Sequence, residues 1–171
     1  MRKEEGVWSL GGLVSEFGDQ TPNTKHQTPN HDTTKHERLT PMALDCNNAL
    51  ANALLDRFDT EFPAGAILEI RTGSAAGAEN SAGGTLLGSI TLPSTPWAAA
   101  SSGAKAKNGT WSATAGATGT AAHYRLKNSG DTRRIEGSVT ATGGGGDLML
   151  DNTSIANGQT VTVNTFQYSI T

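Results

Sequence analysis

Residues Thr120–Thr140 read TAAHYRLKNSGDTRRIEGSVT, and this stretch decides the fold. Apolar and polar side chains alternate on both sides of Asn128–Asp131, the period of a half-buried strand. The NSGD turn between the two runs predicts a hairpin, because Gly supplies the positive φ that such turns use. With those four residues as the turn, Leu126 falls opposite Arg133, Arg125 opposite Arg134 and Tyr124 opposite Ile135. Tyr124 and Ile135 then face the core. Arg125, Lys127 and Arg134 face outward beside His123 and Glu136.

The same period extends to both sides of the hairpin. Upstream, Ala66–Thr72 places Ile67, Glu69 and Arg71 on one face and Leu68 and Ile70 on the other, and Thr85–Leu92 follows, stopped by Pro93. Gly109–Ala115 is another strand. Downstream, Asp147–Asp151 and Gln159–Thr171 complete the set, after a Gly143–Gly146 run read as a flexible link. Many short strands, Gly-rich turns and no interleaved helices predict a mainly β domain over residues 63–171. The expected fold is a jelly-roll-like antiparallel sandwich or barrel.

Residues 42–62 carry a different period. Ala43, Cys46, Leu50, Leu54 and Phe58 recur at three or four residues, widened by Ala53 and Leu55, opposite Asp45, Asn48, Asn52, Asp56 and Asp59. This predicts one N-terminal amphipathic helix, packed on the β domain by its Cys46/Leu50/Leu54/Phe58 stripe. Thr40 and Pro41 suit its cap and first turn. Pro63–Gly65 ends it.

Residues 1–41 differ in kind. Gly18–Pro41 is almost wholly polar, with QTPN and TKH each occurring twice. Such a stretch cannot bury enough apolar surface to offset ordering, so disorder is expected. Glu37–Arg38 can be encoded by a purine hexamer three codons before Met42, a ribosome-binding spacing. Met42 is therefore the expected biological start, with residues 1–41 as translated upstream sequence. The N-terminus lacks the unbroken apolar run of a secretory signal, so synthesis in the host cytoplasm is expected.

Composition excludes several classes. Of 171 residues 21 are Gly, 35% are hydrophobic and 17% charged, with net charge −3. No run approaches the ~18 apolar residues of a membrane span, and no global field favours nucleic acid. The single Cys46 gives no disulfide framework. His26, His31 and His36 lie in the polar segment without framing ligands. His123 lacks a nucleophile motif and reads as a half-exposed strand residue. The Gly runs lack the Lys-Ser/Thr of a phosphate loop. These residues imply no catalytic, cofactor-binding or metal set.

Two features point to partners. The outward Arg125, Lys127 and Arg134 form the one basic cluster, suited to an acidic surface. Trp97 follows Pro96 in a loop, where it serves either as a core anchor or as a sugar-stacking platform; Trp111, within a strand, reads as core.

The order of segments also matters: LEIRTG (Leu68–Gly73), GTLLGSITL (Gly84–Leu92), ATGTAAHYRLKNSGD (Ala117–Asp131), IEGSVT (Ile135–Thr140) and GDLMLDNTSIANGQTVTVNTFQYS (Gly146–Ser169). Met42–Thr171 thereby resembles a family of small proteins encoded among the head and tail genes of tailed bacteriophages and prophages. The resemblance implies a virion structural role and no catalytic residues. Ala/Gly/Thr/Ser-rich β chains suit repeated surfaces, where symmetry multiplies one weak contact. The expectation is a capsid-decorating protein that contacts the major capsid or tail protein and forms a homo-oligomer, with a trimer as one option. The alternatives are a tail-associated protein and a glycan-binding β-sandwich using Trp97.

Overall fold

The computed structural model describes residues 46–170. The expected disorder of 1–41, the Met42 start and the Thr40 cap lie outside the described residues.

The fold is mainly β with a short helical segment, as the periodicities predict: a curled, mostly antiparallel sheet. The helical segment has two stretches, α1 (Asn48–Leu55) and α2 (Arg57–Glu61), divided at Asp56. Ten strands follow: β1 (Ile67–Arg71), β2 (Leu86–Thr91), β3 (Ala104–Ala106), β4 (Ser112–Thr114), β5 (Gly119–Thr120), β6 (His123–Lys127), β7 (Arg134–Ala141), β8 (Leu148–Leu150), β9 (Ser154–Ile155) and β10 (Thr160–Ser169). The main sheet runs β2-β1-β6-β7-β8-β10-β3, with β4 also on β10, and β5 pairs with β9.

Alternation places the core where the sequence predicts. Leu68 and Ile70 of β1, Tyr124 and Leu126 of β6, and Leu148 and Leu150 of β8 are fully buried. Each aliphatic chain buried this way contributes about 1.5–3 kcal/mol. Against them lie the aromatic rings. Trp97 meets Trp111 edge-on at 5.1 Å, Trp111 meets Phe166 at 5.5 Å, and Phe166 meets Tyr124 at 5.0 Å.

Three expectations about local structure are corrected. The hairpin register differs: Leu126 pairs with Ile135, Arg125 with Glu136 and Tyr124 with Gly137. The turn is two residues longer than NSGD, closing where Asn128 N–H donates to Arg133 O. Asn128 Oδ1 also accepts from the N–H groups of Thr132 and Arg133, and the left-handed residue is Asp131 (φ +53°) rather than Gly130. Because the shift is by two residues, every side chain keeps its predicted face.

The Gly143–Gly146 run is a tight return rather than a link. Gly143 and Gly145 take φ of +86° and +74°. Gly144 N–H donates to Ala141 O and Gly146 N–H to Thr140 Oγ1. The chain thereby doubles back and sets β8 parallel to β7, the one parallel pair among the described strands. Glycine's access to positive φ makes so short a parallel connection feasible.

The helical segment docks by part of the expected apolar side, Leu55 and Phe58, and not by its Leu50 and Leu54. Asn47 caps it by accepting from Leu50 N–H at 3.0 Å, so Cys46 precedes the helix. Ala51 and Leu55 are buried, whereas Leu50 and Leu54 are 52% and 45% exposed. Asn52, Asp56 and Asp59 of the expected polar face border the docking contact, the two carboxylates staying half-exposed. Asn52 Oδ1 accepts from Gly103 N–H, and Asp56 Oδ1 from Ala100 N–H and Lys105 Nζ. Lys105 of β3 is 1% exposed and also reaches Asp59 at 2.9 Å. A buried ammonium requires such carboxylates, and that need fixes which face of the helix meets β3.

Candidate functional site: a charged cleft beneath the Gly73–Gly84 loop

Alternation puts Glu69 and Arg71 (β1), His123, Arg125 and Lys127 (β6), and Arg134 and Glu136 (β7) on the face of the sheet away from the core. The register sets Glu69 beside Arg125 and Arg125 beside Glu136, a row of alternating sign. Opposite charges on neighbouring strands attract, where the predicted Arg125–Arg134 pairing would repel.

The Gly/Ala/Ser loop between β1 and β2 lies over part of this face, held there by the same side chains. Arg71 Nε donates to Gly83 O at 2.7 Å and Nη2 to Gly84 O at 3.2 Å. Arg125 Nη2 donates to Asn80 O at 2.8 Å, and Glu136 Oε2 accepts from Gly77 N–H at 2.8 Å. His123 Nδ1 contacts Gly73 O at 3.0 Å. A carbonyl only accepts, so Nδ1 carries the proton, and Nε2 is buried without a partner. His123 is therefore 2% exposed rather than half-exposed, and Arg125 is 4% exposed rather than outward in solvent. Both corrections share one cause: the loop covers the face.

Beyond the loop's edge the face opens into a cleft of about 350 Å³. Glu79, Asn80, Ser81 and Ala82 form one wall and Asp131 and Arg134 line the other side, with Glu69, Arg71, Arg125 and Lys127 from β1 and β6 between them. The cations are partly neutralised. Lys127 Nζ lies 2.7 Å from Glu69 Oε1, Arg71 Nη1 2.8 Å from Glu69 Oε2, and Arg134 Nε 2.6 Å from Asp131 Oδ1. The bonded Arg134 guanidinium holds the Asp131 carboxyl below the usual carboxylate range, and Asp131 in turn raises Arg134.

Donor capacity remains. Among the described residues, Arg125 Nη1 and both terminal nitrogens of Arg134 have no hydrogen-bond partner. His123 Nε2 is the only fully buried side-chain nitrogen or oxygen there without a partner, so these guanidinium N–H groups reach solvent. Planar guanidinium donors match a carboxylate's two oxygens.

Of the four partner-binding residues expected from sequence, Arg125, Lys127 and Arg134 converge on this cleft. Trp97 does not. It is 4% exposed, its Nε1–H donates to Phe62 O at 2.9 Å, and its ring packs edge-on against Phe58. It offers no open face to a sugar, which corrects the stacking-platform expectation in favour of the core anchor. Glu69, Arg71, Asp131 and the Glu79–Ala82 wall escaped sequence reasoning. The alternation of Glu69 and Arg71 on β1 was the available signal, but only strand pairing brings it beside β6. Among the described residues no group of three or more His, Cys, Asp or Glu is placed to hold a metal. None of their helices is long and apolar enough to cross a membrane.

No protein-family model, curated protein or solved structure matches the chain.

Proposed function

We propose that this chain is a non-enzymatic structural protein of a tailed-phage particle, decorating the head and contacting a neighbouring virion protein through the charged cleft. The observation that carries the contact is the convergence of Arg125, Lys127 and Arg134 on one cleft with guanidinium N–H groups free. A neighbouring protein that presents an acidic segment supplies the missing acceptors. The virion assignment rests on the segment order that resembles phage morphogenesis proteins. A small-residue β fold presented in many copies agrees with it, because a weak contact repeated by symmetry becomes a firm one. Copies of the chain are expected to associate as a homo-oligomer.

The test is incorporation. The chain and its Lys127→Glu/Arg134→Glu variant are expressed during phage growth, and purified particles are assayed by quantitative gel. Particles carrying the parent chain but depleted of the variant support the reading. Absence of the parent from particles overturns the virion assignment, and equal incorporation removes the cleft from the contact. Light scattering of the purified chain counts its copies.

A further inference from the structure

The hairpin turn places a carboxylate where the cleft's ligand would bind. Asp131 Oδ1 accepts from Arg134 Nε at 2.6 Å and Oδ2 lies 4.0 Å from Lys127 Nζ. Of the carboxylates bonded to cleft cations it is the accessible one: its side chain is 47% exposed, against 10% for Glu69 and 5% for Glu136.

Its carboxylate is not what holds the turn. Asn128 does that, through its backbone contacts with Asp131 and Arg133 and through Oδ1 to the N–H groups of Thr132 and Arg133. Asp131 moreover sits at φ +53°, a left-handed conformation open to Gly and Asn as well as Asp. An acidic residue stands there although neither the turn's geometry nor its hydrogen bonds require a charge.

We propose that Asp131 is a resident competitor for the cleft's ligand, and that this ligand is a single carboxylate: an acidic side chain of a partner protein that exchanges with Asp131 at Arg134 and Lys127. The inference rests on the reading of the cleft as a partner contact. The incoming carboxylate binds Arg134 side-on, taking the Nε–H that Asp131 now holds together with a free terminal N–H, and it meets the Lys127 ammonium as Asp131 turns to water. Charge selects the ligand. An incoming carboxylate brings one negative charge among Glu69, Glu79 and the displaced Asp131, whereas a phosphate dianion brings two and is repelled more strongly. A built-in competitor keeps each contact weak and exchangeable, so that firm attachment depends on many copies acting together.

The experiment uses the full chain, an acetylated and amidated tetraglutamate peptide, and inorganic phosphate, with binding followed by NMR titration of the arginine side-chain signals. Asp131→Asn and Asp131→Gly both suit the left-handed backbone and remove the competitor. Both are expected to bind the peptide about two- to fivefold more tightly than the parent, the factor an accessible ion pair is worth. Arg134→Gln is expected to lose binding. Unchanged or weaker binding in both Asp131 variants overturns the competitor role. Phosphate binding the parent as tightly as the peptide overturns the carboxylate assignment, and no peptide binding by any form overturns both. Tighter peptide binding by Asp131→Asn, joined to particle incorporation that ignores Lys127→Glu/Arg134→Glu, supports the exchange while removing the virion contact.

Discussion

Arg125 Nε lies 2.6 Å from Glu136 Oε1, directly across the β6–β7 ladder, and each side chain is 5% exposed. The pair joins sheet to loop, since the same guanidinium reaches Asn80 O and the same carboxylate accepts from Gly77 N–H. Removing one member strands a buried charge. Arg125→Met is expected to cost about 3–5 kcal/mol in denaturant unfolding. Faster hydrogen exchange at Gly77 N–H should accompany it. A loss under about 1 kcal/mol with Gly77 still protected would show that the loop is held without this pair.

The two leucines at the end of α1 should behave oppositely. Leu55 is 2% exposed and Leu54 is 45% exposed. Leu55→Ala is expected to cost about 2–5 kcal/mol, and Leu54→Ala about 0.5 kcal/mol or less. Thermal melts of the two variants check this. A larger loss at Leu54 would mean that its exposed side is covered in solution.

Trp97 is a core residue, so Trp97→Ala should cost about 3–5 kcal/mol by opening a cavity against Trp111 and Phe166. Trp97→Phe separates the packing from the hydrogen bond to Phe62 O. It should retain most of the stability. A parent-like melting temperature for Trp97→Ala would return the residue to the surface.

Lys105 gives an asymmetric test. Its ammonium is buried, whereas the Asp56 and Asp59 side chains are 51% and 54% exposed. Lys105→Met leaves two carboxylates that water can solvate, and should change stability by about 1 kcal/mol or less. The Asp56→Asn/Asp59→Asn double variant leaves a buried cation without its counterions and should melt at a clearly lower temperature than Lys105→Met. The reverse order would show that the carboxylates, not the lysine, carry the desolvation penalty.

Stability should form a broad plateau in pH. The Lys105 hydrogen bond lowers the Asp56 carboxyl and the Arg134 bond lowers that of Asp131, each below the ordinary carboxyl value of 3.8. Depressed carboxyls contribute fully above that value, and the contribution is lost as pH falls through their folded pKa values. Burial pushes the Tyr124 hydroxyl from 10.0 up to about 12, although its bond to Tyr168 opposes the shift. Burial pulls Lys105 down, but its two carboxylate bonds outweigh that and leave it above 10.5. Raised groups contribute below their unfolded pKa, so stability declines as pH rises above about 10. Urea midpoints across pH 2–12 check both limbs. A midpoint that changes steeply between pH 5 and 9 would assign the dominant titration to another group.

Strand alternation was legible because it depends only on residue order. Leu68/Ile70 against Glu69/Arg71, and Tyr124/Leu126 against Arg125/Lys127, separate the two faces of β1 and β6 whatever the register. The mainly β class and much of the core, Trp111 included, follow from that period. The grouping of Arg125, Lys127 and Arg134 was legible too, because a register shift of two preserves the face. Tertiary structure decided what each face meets. No local pattern says that Gly73–Gly84 folds over the outer face and buries His123 and Arg125; that depends on carbonyls far along the chain accepting from Arg71 and Arg125. Nor does the periodicity of α1 say which side docks. Leu50 and Leu54 suggest one side, but the buried ammonium of Lys105, some fifty residues away, requires the side bearing Asp56 and Asp59. Local sequence sets periods and faces, because these follow from backbone geometry. Burial and charge pairing depend on residues distant in sequence, and only the folded chain brings those together.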